Sequence, residues 1–194
     1  MIYTDETLLE IWQKAKQDYK IQQKEVEFKR VMQLLNSKPK GLIVEIGCYD
    51  GGSTFVFSCF ADRLISIDIN NPARFKFDEI KKNCAYNYIG LDSNFAEPEL
   101  LKLLEGKQID VLMIDGLHTY EGARNDFFRY ERFVKPGGLI LLHDIIESEI
   151  HTRLSCFVSK FWQECKEQYK SGGNFSEILS GEDNWGGIGV INKF

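Results

Sequence analysis

No run of apolar residues in this chain approaches the roughly 20 that cross a bilayer. The opening stretch, MIYTDETLLEIWQKAKQDYK, is charged throughout and lacks the apolar centre of a signal peptide. Positive charge is not in excess either: 24 Lys and Arg face 29 Asp and Glu, a net charge of −5, so no overall field draws nucleic acid or an anionic membrane. The five cysteines (Cys48, Cys59, Cys84, Cys156 and Cys165) are odd in number and form no C-x-x-C pair, which favours reduced thiols over a disulfide framework or a zinc knuckle. These absences predict a cytoplasmic protein with neither a membrane nor a nucleic-acid partner. Repeats, low-complexity tracts and linkers are lacking too. The 194 residues suit one domain over 1–194, with two N-terminal helices in 1–38 and a core in 40–194.

Hydrophobic periodicity supplies the elements. Leu8, Trp12, Ala15 and Tyr19 recur at helical spacing, as do Phe28, Val31, Met32 and Leu35. The first stripe lies far ahead of any strand and needs a surface to cover, in a lid or in the subunit contact of a homo-oligomer. Strands and helices then alternate. Strands are predicted over 42–46, 64–68, 86–91, 109–115, 139–144, 175–179 and 187–191. Helices are predicted from Ser53, from beyond the Asn70-Asn71-Pro72 turn to about Asn83, over 97–104, and from Tyr120 to Val134, where Lys135-Pro136-Gly137-Gly138 stops the last. A long helix carries Leu154, Phe157, Val158, Phe161 and Cys165, with His151 on its solvated side; Tyr120 and Tyr130 read as core residues. The fold class that follows is α/β: a doubly wound, Rossmann-like, mostly parallel seven-stranded sheet with helices on both faces and an N-terminal helical extension. Ligands of such sheets bind beyond the carboxyl ends of the strands, near the switch point.

One further absence is informative. After the first strand the chain reads IVEIGCYDGGST, and the G-x-G-x-x-G of a dinucleotide site is missing. Tyr49 stands where the middle glycine would admit a pyrophosphate, with Asp50 beside it and Glu45 just before the loop. These features disfavour a doubly anionic ligand, and with it a nicotinamide dehydrogenase. Asp68, about 20 residues beyond Gly47 at the next strand tip, holds the position that bonds a ribose diol; the plainer alternative is an acid that caps its loop. Ser53 likewise could cap the helix it opens. A nucleoside with a cationic, non-phosphorylated tail, S-adenosylmethionine, suits the set.

The segments VEIGCYDGGST, LISIDIN, IDGLHTYEGARNDF and KPGGLILLHD, in this order over about residues 40–145, resemble the class I S-adenosylmethionine-dependent O-methyltransferases, in particular the branch with the cephalosporin-hydroxylase-like and macrolide sugar enzymes. WGGIGVI near the end is a looser match. The resemblance implies that Glu45, Gly47, Tyr49, Gly51 and Ser53 line the methionine end of the cofactor, that Asp68 holds the ribose and that Asp92 and Ser93 flank the adenine. Asp115 would serve both cofactor and metal. The implied acceptor is a small molecule, a sugar or another polyhydroxylated metabolite, in a pocket shaped by residues 1–25, 145–153 and 171–187.

Asp115, His118, His143 and Asp144 fall at the ends of two strands expected to be neighbours. Carboxylates that converge repel unless a proton or a cation intervenes. Magnesium favours one or two carboxylates with waters and substrate oxygens, and a cation-bound hydroxyl is both acidified and positioned. His118 is the candidate general base. Related enzymes carry the D-x-x-H pattern, matched by Asp115 and His118, and an acid matched by Asp144. The chain departs from the catechol-type Asp-Asn step, because Ile145 follows Asp144, and from the acidic pair of the macrolide enzymes, because His143 precedes it. His143 is then the candidate third ligand, although imidazole suits zinc, manganese or iron better than magnesium. The competing readings are a metal-independent O- or N-methyltransferase and a non-catalytic protein that binds S-adenosylmethionine.

Overall fold

Alternation of apolar residues on both faces of each inner strand dictates a sheet covered on both sides, and the computed structural model, which describes residues 2–70, 76–181 and 185–194, shows it. The elements run α1 (Asp5–Tyr19), α2 (Glu25–Asn36), β1 (Leu42–Ile46), α3 (Gly52–Phe60), β2 (Arg63–Ile67), α4 (Phe77–Asn83), β3 (Ala85–Ile89) and α5 (Glu97–Leu104). There follow β4 (Ile109–Ile114), α6 (Tyr120–Tyr130), β5 (Val134–His143), α7 (Glu149–Arg153), α8 (Val158–Gln168), β6 (Gly173–Ile178) and β7 (Ile188–Lys193). They build a seven-stranded sheet in the order β3-β2-β1-β4-β5-β7-β6. The first five strands are parallel, and β7 runs antiparallel between β5 and β6. The order reverses between β1 and β4, which opens a crevice at their carboxyl ends.

Register decides which face each side chain meets. Ile43, Val111 and Leu139 are aligned across β1, β4 and β5 and pack toward α1, α2 and α3. Val44, Leu112 and Ile140 pack toward α5, α6 and α8. The same alignment sets Ile114 beside Leu142, so the residues one step further, Asp115 and His143, emerge together. Among the described residues no helix is long and apolar enough to cross a membrane.

Three local expectations are corrected. The stripe of α1 is neither a lid nor a free contact surface: Leu8, Ile11, Trp12, Ala15 and Tyr19 are buried in the core shared with α2 and α3, and the Tyr19 ring stacks on Phe55 at 4.8 Å. Helix α6 ends at Tyr130, a 3-10 turn spans Glu131–Phe133, and β5 already begins at Val134. Pro136 and Gly137 lie in a register shift between Ile109 and Val111 of β4, where a residue without an N–H leaves no ladder bond open. The long helix after β5 is two helices. Ser155, in the left-handed region at φ 56, breaks them, and Leu154 is left exposed. The Asn71-Pro72 part of the predicted turn lies outside the described residues.

Candidate active site

Beyond the ends of β1, β2 and β4 lies a cavity of about 690 Å³. Its near wall is the loop after β1. Gly47 takes φ 81, and a Cβ there would lie 2.0 Å from the Asp115 carbonyl oxygen, so only glycine lets this loop cross the end of β4. Tyr49 is itself left-handed, at φ 44. Asp68 holds the loop: its Oδ2 accepts from the backbone N–H groups of Cys48 (2.9 Å) and Tyr49 (3.0 Å), and its Oδ1 from Asn70 (2.8 Å). The loop-capping alternative for Asp68 is therefore present in the structure, and the residue lines the cavity as well.

The predicted cofactor residues divide. Gly47, Tyr49, Ser53, Asp68, Asp92, Ser93 and Asp115 line the cavity. Glu45 and Gly51 stand behind it. Glu45 shares the face of Ile43, so its carboxylate points at α3 and accepts hydroxyls from Ser53, Thr54 (2.7 Å) and Ser66 (2.9 Å). Burial pushes its pKa up to about 7, against the hydroxyls, which favour the charged form. Gly51 caps α3 at φ 87. Asp92 accepts from the Asn94 backbone at 2.8 Å, and the Tyr130 hydroxyl donates to the Ser93 carbonyl.

On the other side β4 and β5 deliver the charged cluster. Asp115 Oδ1 lies 3.1 Å from His143 Nδ1 and 3.2 Å from His118 Nε2. Asp144 Oδ1 lies 3.3 Å from His143 Nδ1, and its Oδ2 lies 3.0 Å from His118 Nδ1. Asp144 is held left-handed at φ 63, a conformation that persists in a non-glycine residue only where its surroundings enforce it. All four predicted residues are thus brought together. Burial opposes ionisation of every member, but mutual attraction outweighs it. Asp115 and Asp144 are held below the usual carboxylate range, His143 is raised to about 10 and His118 is raised further. Yet Asp115 Oδ1, Asp144 Oδ1 and both ring nitrogens of His143 are buried without a well-aligned hydrogen bond. Close approach without alignment is what lone pairs aimed at a common centre produce. The donor set, two carboxylates and an imidazole with ligand atoms within 4.8 Å of one another, fits a divalent cation.

Four neighbours were missed in the sequence reading. His151 is buried rather than solvated: its Nδ1 meets the Ile146 carbonyl at 2.6 Å and its Nε2 stands 3.3 Å from Asp144 Oδ1. Gln23, between α1 and α2, donates to Asp115 Oδ2 at 2.5 Å; nothing in its sequence context marks it. Asp126 is buried in the apolar face of α6, with Oδ2 unpartnered, and burial raises its pKa to about 6. An acid sharing a face with Ala123, Phe127 and Tyr130 was the readable signal. Cys156 sits beside Asp144. All three segments expected to shape the acceptor pocket reach the cavity, through Lys20, Gln23, Ile150 and Trp185 among others.

A seven-stranded sheet with this switch-point crevice is the class I S-adenosylmethionine-dependent methyltransferase fold. Residues 44–145, more than half of the chain, match the family described as a methyltransferase domain, and the chain belongs to that family. No curated protein sequence matches it. An O-methyltransferase from Bacillus cereus in complex with SAH is 18% identical, with a TM-score of 0.64 over 100% of this chain and 93% of that one. A putative rRNA-methylase from Clostridium thermocellum is 11% identical, with a TM-score of 0.68 over 88% and 99%. The MycE methyltransferase of the mycinamycin biosynthetic pathway, in complex with Mg, SAH and mycinamycin VI, is 16% identical, with a TM-score of 0.57 over 85% of this chain and 47% of that one. At these identities the likeness is one of fold, and the fold alone leaves the acceptor open.

Proposed function

We propose that this methyltransferase carries the methyl group of S-adenosylmethionine to a hydroxyl oxygen of a small metabolite, assisted by a divalent cation. The observation that carries the reading is the set of buried, unaligned donor atoms of Asp115, His143 and Asp144 beside the crevice. When bound, S-adenosylmethionine supplies a methyl group on a sulfonium, and the cation supplies charge neutralisation and a hold on the acceptor oxygen. In this reading Asp68 holds the ribose diol, Asp92 and Ser93 flank the adenine, and the Gly47–Tyr49 turn with Ser53 receives the methionine end. Asp115, His143 and Asp144 would hold the cation, magnesium by the resemblance.

Proton handling falls to His118. Its side chain is 41% exposed toward the cavity, whereas His143 is buried. The two carboxylates hold a proton on it. A cation held by Asp115 and Asp144 would weaken that field, and His118 would then be the group placed to take the acceptor's hydroxyl proton as the oxygen gains the methyl group and the sulfonium becomes a thioether. Placement of oxygen in line with the methyl group does much of the remaining work.

In the metal-independent alternative His118 stays bracketed by Asp115 and Asp144, which engage both ring nitrogens and hold its proton, so the arrangement weighs against it as a base without a cation. Screening labelled S-adenosylmethionine against hydroxylated metabolites, then assaying with EDTA and with magnesium or manganese restored, separates the two. Turnover should vanish with chelator and return with metal. His118→Ala should slow it by about 10²–10⁴-fold. Full turnover in excess EDTA would establish the metal-independent mechanism instead.

A further inference from the structure

The break between α7 and α8 does more than end a helix. It presents Cys156, buried at 5% exposure, to the charged cluster. The segment is tied down at both sides: the Cys156 N–H donates to the His151 carbonyl at 2.8 Å, and the Phe157 N–H to the His118 carbonyl at 2.8 Å. Cys156 Sγ stands 3.9 Å from Asp144 Oδ2, and His118 Nδ1 stands 3.0 Å from the same oxygen. One ligand atom from each of the three residues lies within 4.8 Å of the others. This is a sulfur–nitrogen–oxygen triad. It shares Asp144 with the first group, and its His118 also reaches that group, with Nε2 3.2 Å from Asp115 Oδ1.

The chemistry of the donors selects the ion. A tetrahedral zinc ion with bonds of about 2.0–2.3 Å sets its ligand atoms roughly 3.3–3.7 Å apart, between the 3.0 Å and 3.9 Å that separate Asp144 Oδ2 from His118 Nδ1 and Cys156 Sγ. Magnesium accepts oxygen and retains water, and has no use for a thiol. His118 opens to the cavity, so an ion can enter and a water can complete the coordination. Asp144 offers one oxygen to each group, its Oδ1 to His143 and its Oδ2 to His118.

We propose that His118, Asp144 and Cys156 form a second, thiophilic cation site for zinc-class ions, which when filled takes His118 out of proton transfer. The inhibitory consequence rests on the function proposed above; the site itself does not. A methyltransferase of this design runs with a hard cation and is restrained by a soft one.

Cobalt(II), a spectroscopic stand-in for zinc, tests the site without an acceptor. Cobalt added to the whole chain should produce a thiolate-to-metal charge-transfer band in the near ultraviolet. Cys156→Ser should abolish it. Cys48→Ala, which removes the other cysteine of the cavity wall, should retain it. Zinc titration calorimetry should show affinity falling about tenfold or more in His118→Gln. Circular dichroism checks that each variant is folded. No band in the parent, or a band that survives Cys156→Ser, overturns the second site. Magnesium calorimetry, with Asp115→Asn as its control, reports separately on the first group, so either site can fail while the other stands.

Discussion

Replacement of Glu45 by glutamine isolates the buried acid behind the crevice. The carboxylate is wholly buried and receives hydroxyls from Ser53, Thr54 and Ser66. Burial nonetheless raises its pKa from 4.5 to about 7. The folded chain therefore holds this proton more tightly than the unfolded chain does. The stabilising contribution is complete below pH 4.5 and is lost as pH rises to about 7. At 1.36 kcal/mol per pH unit, the loss across that window is about 3 kcal/mol, a large share of the roughly 5–15 kcal/mol that holds a domain together. Glutamine does not ionise, and hydroxyls that rotate can donate to its carbonyl or accept from its amide. Urea unfolding of parent and Glu45→Gln across pH 4–8 should give a stability difference that moves in the variant's favour by up to about 3 kcal/mol as pH rises. Asp126, raised to about 6 by burial, titrates in the same range in both chains and cancels in the difference. A difference that does not change with pH, or one that moves in the parent's favour, would refute the assignment.

Two other outcomes are expected. Deletion of residues 1–20 removes Leu8, Ile11, Trp12 and Tyr19 from the core, and at roughly 1.5–3 kcal/mol for each large buried side chain the loss matches the stability of a whole domain. The truncated chain should be unfolded by circular dichroism, and a folded one would return α1 to the role of a detachable cover. Asp68→Ala leaves three backbone N–H groups of the cavity wall without their acceptor and removes the proposed ribose contact. Titration calorimetry with S-adenosylhomocysteine should show affinity falling about tenfold or more, in line with about 1–3 kcal/mol for an unsatisfied buried group; unchanged affinity would sink the ribose assignment.

Strand positions, sheet class and the location of the crevice were legible in the sequence because they follow from local rules. Apolar runs bounded by Gly, Asn and Asp mark buried parallel strands, and acids at strand tips mark the carboxyl edge. Asp115, His118, His143 and Asp144 could be grouped because strands predicted as neighbours release residues of matching register side by side. Glu45 shows where local reading stops. Its nearness to the glycine loop in sequence suggested a ligand contact, but strand parity turns it to α3. Cys156 could not be read at all, since it follows a left-handed Ser155 that no pattern signals, and His151, expected to be solvated, is held inward by contacts with the Ile146 carbonyl and Asp144 that local periodicity does not encode. Gln23 depends in the same way on where two packed helices leave the segment between them. The sequence by itself determined the periodicities, and with them the sheet and its edge. Only the tertiary structure decided which side chains meet there, because contacts between residues far apart in the chain depend on register, helix breaks and packing angles that local periodicity does not encode.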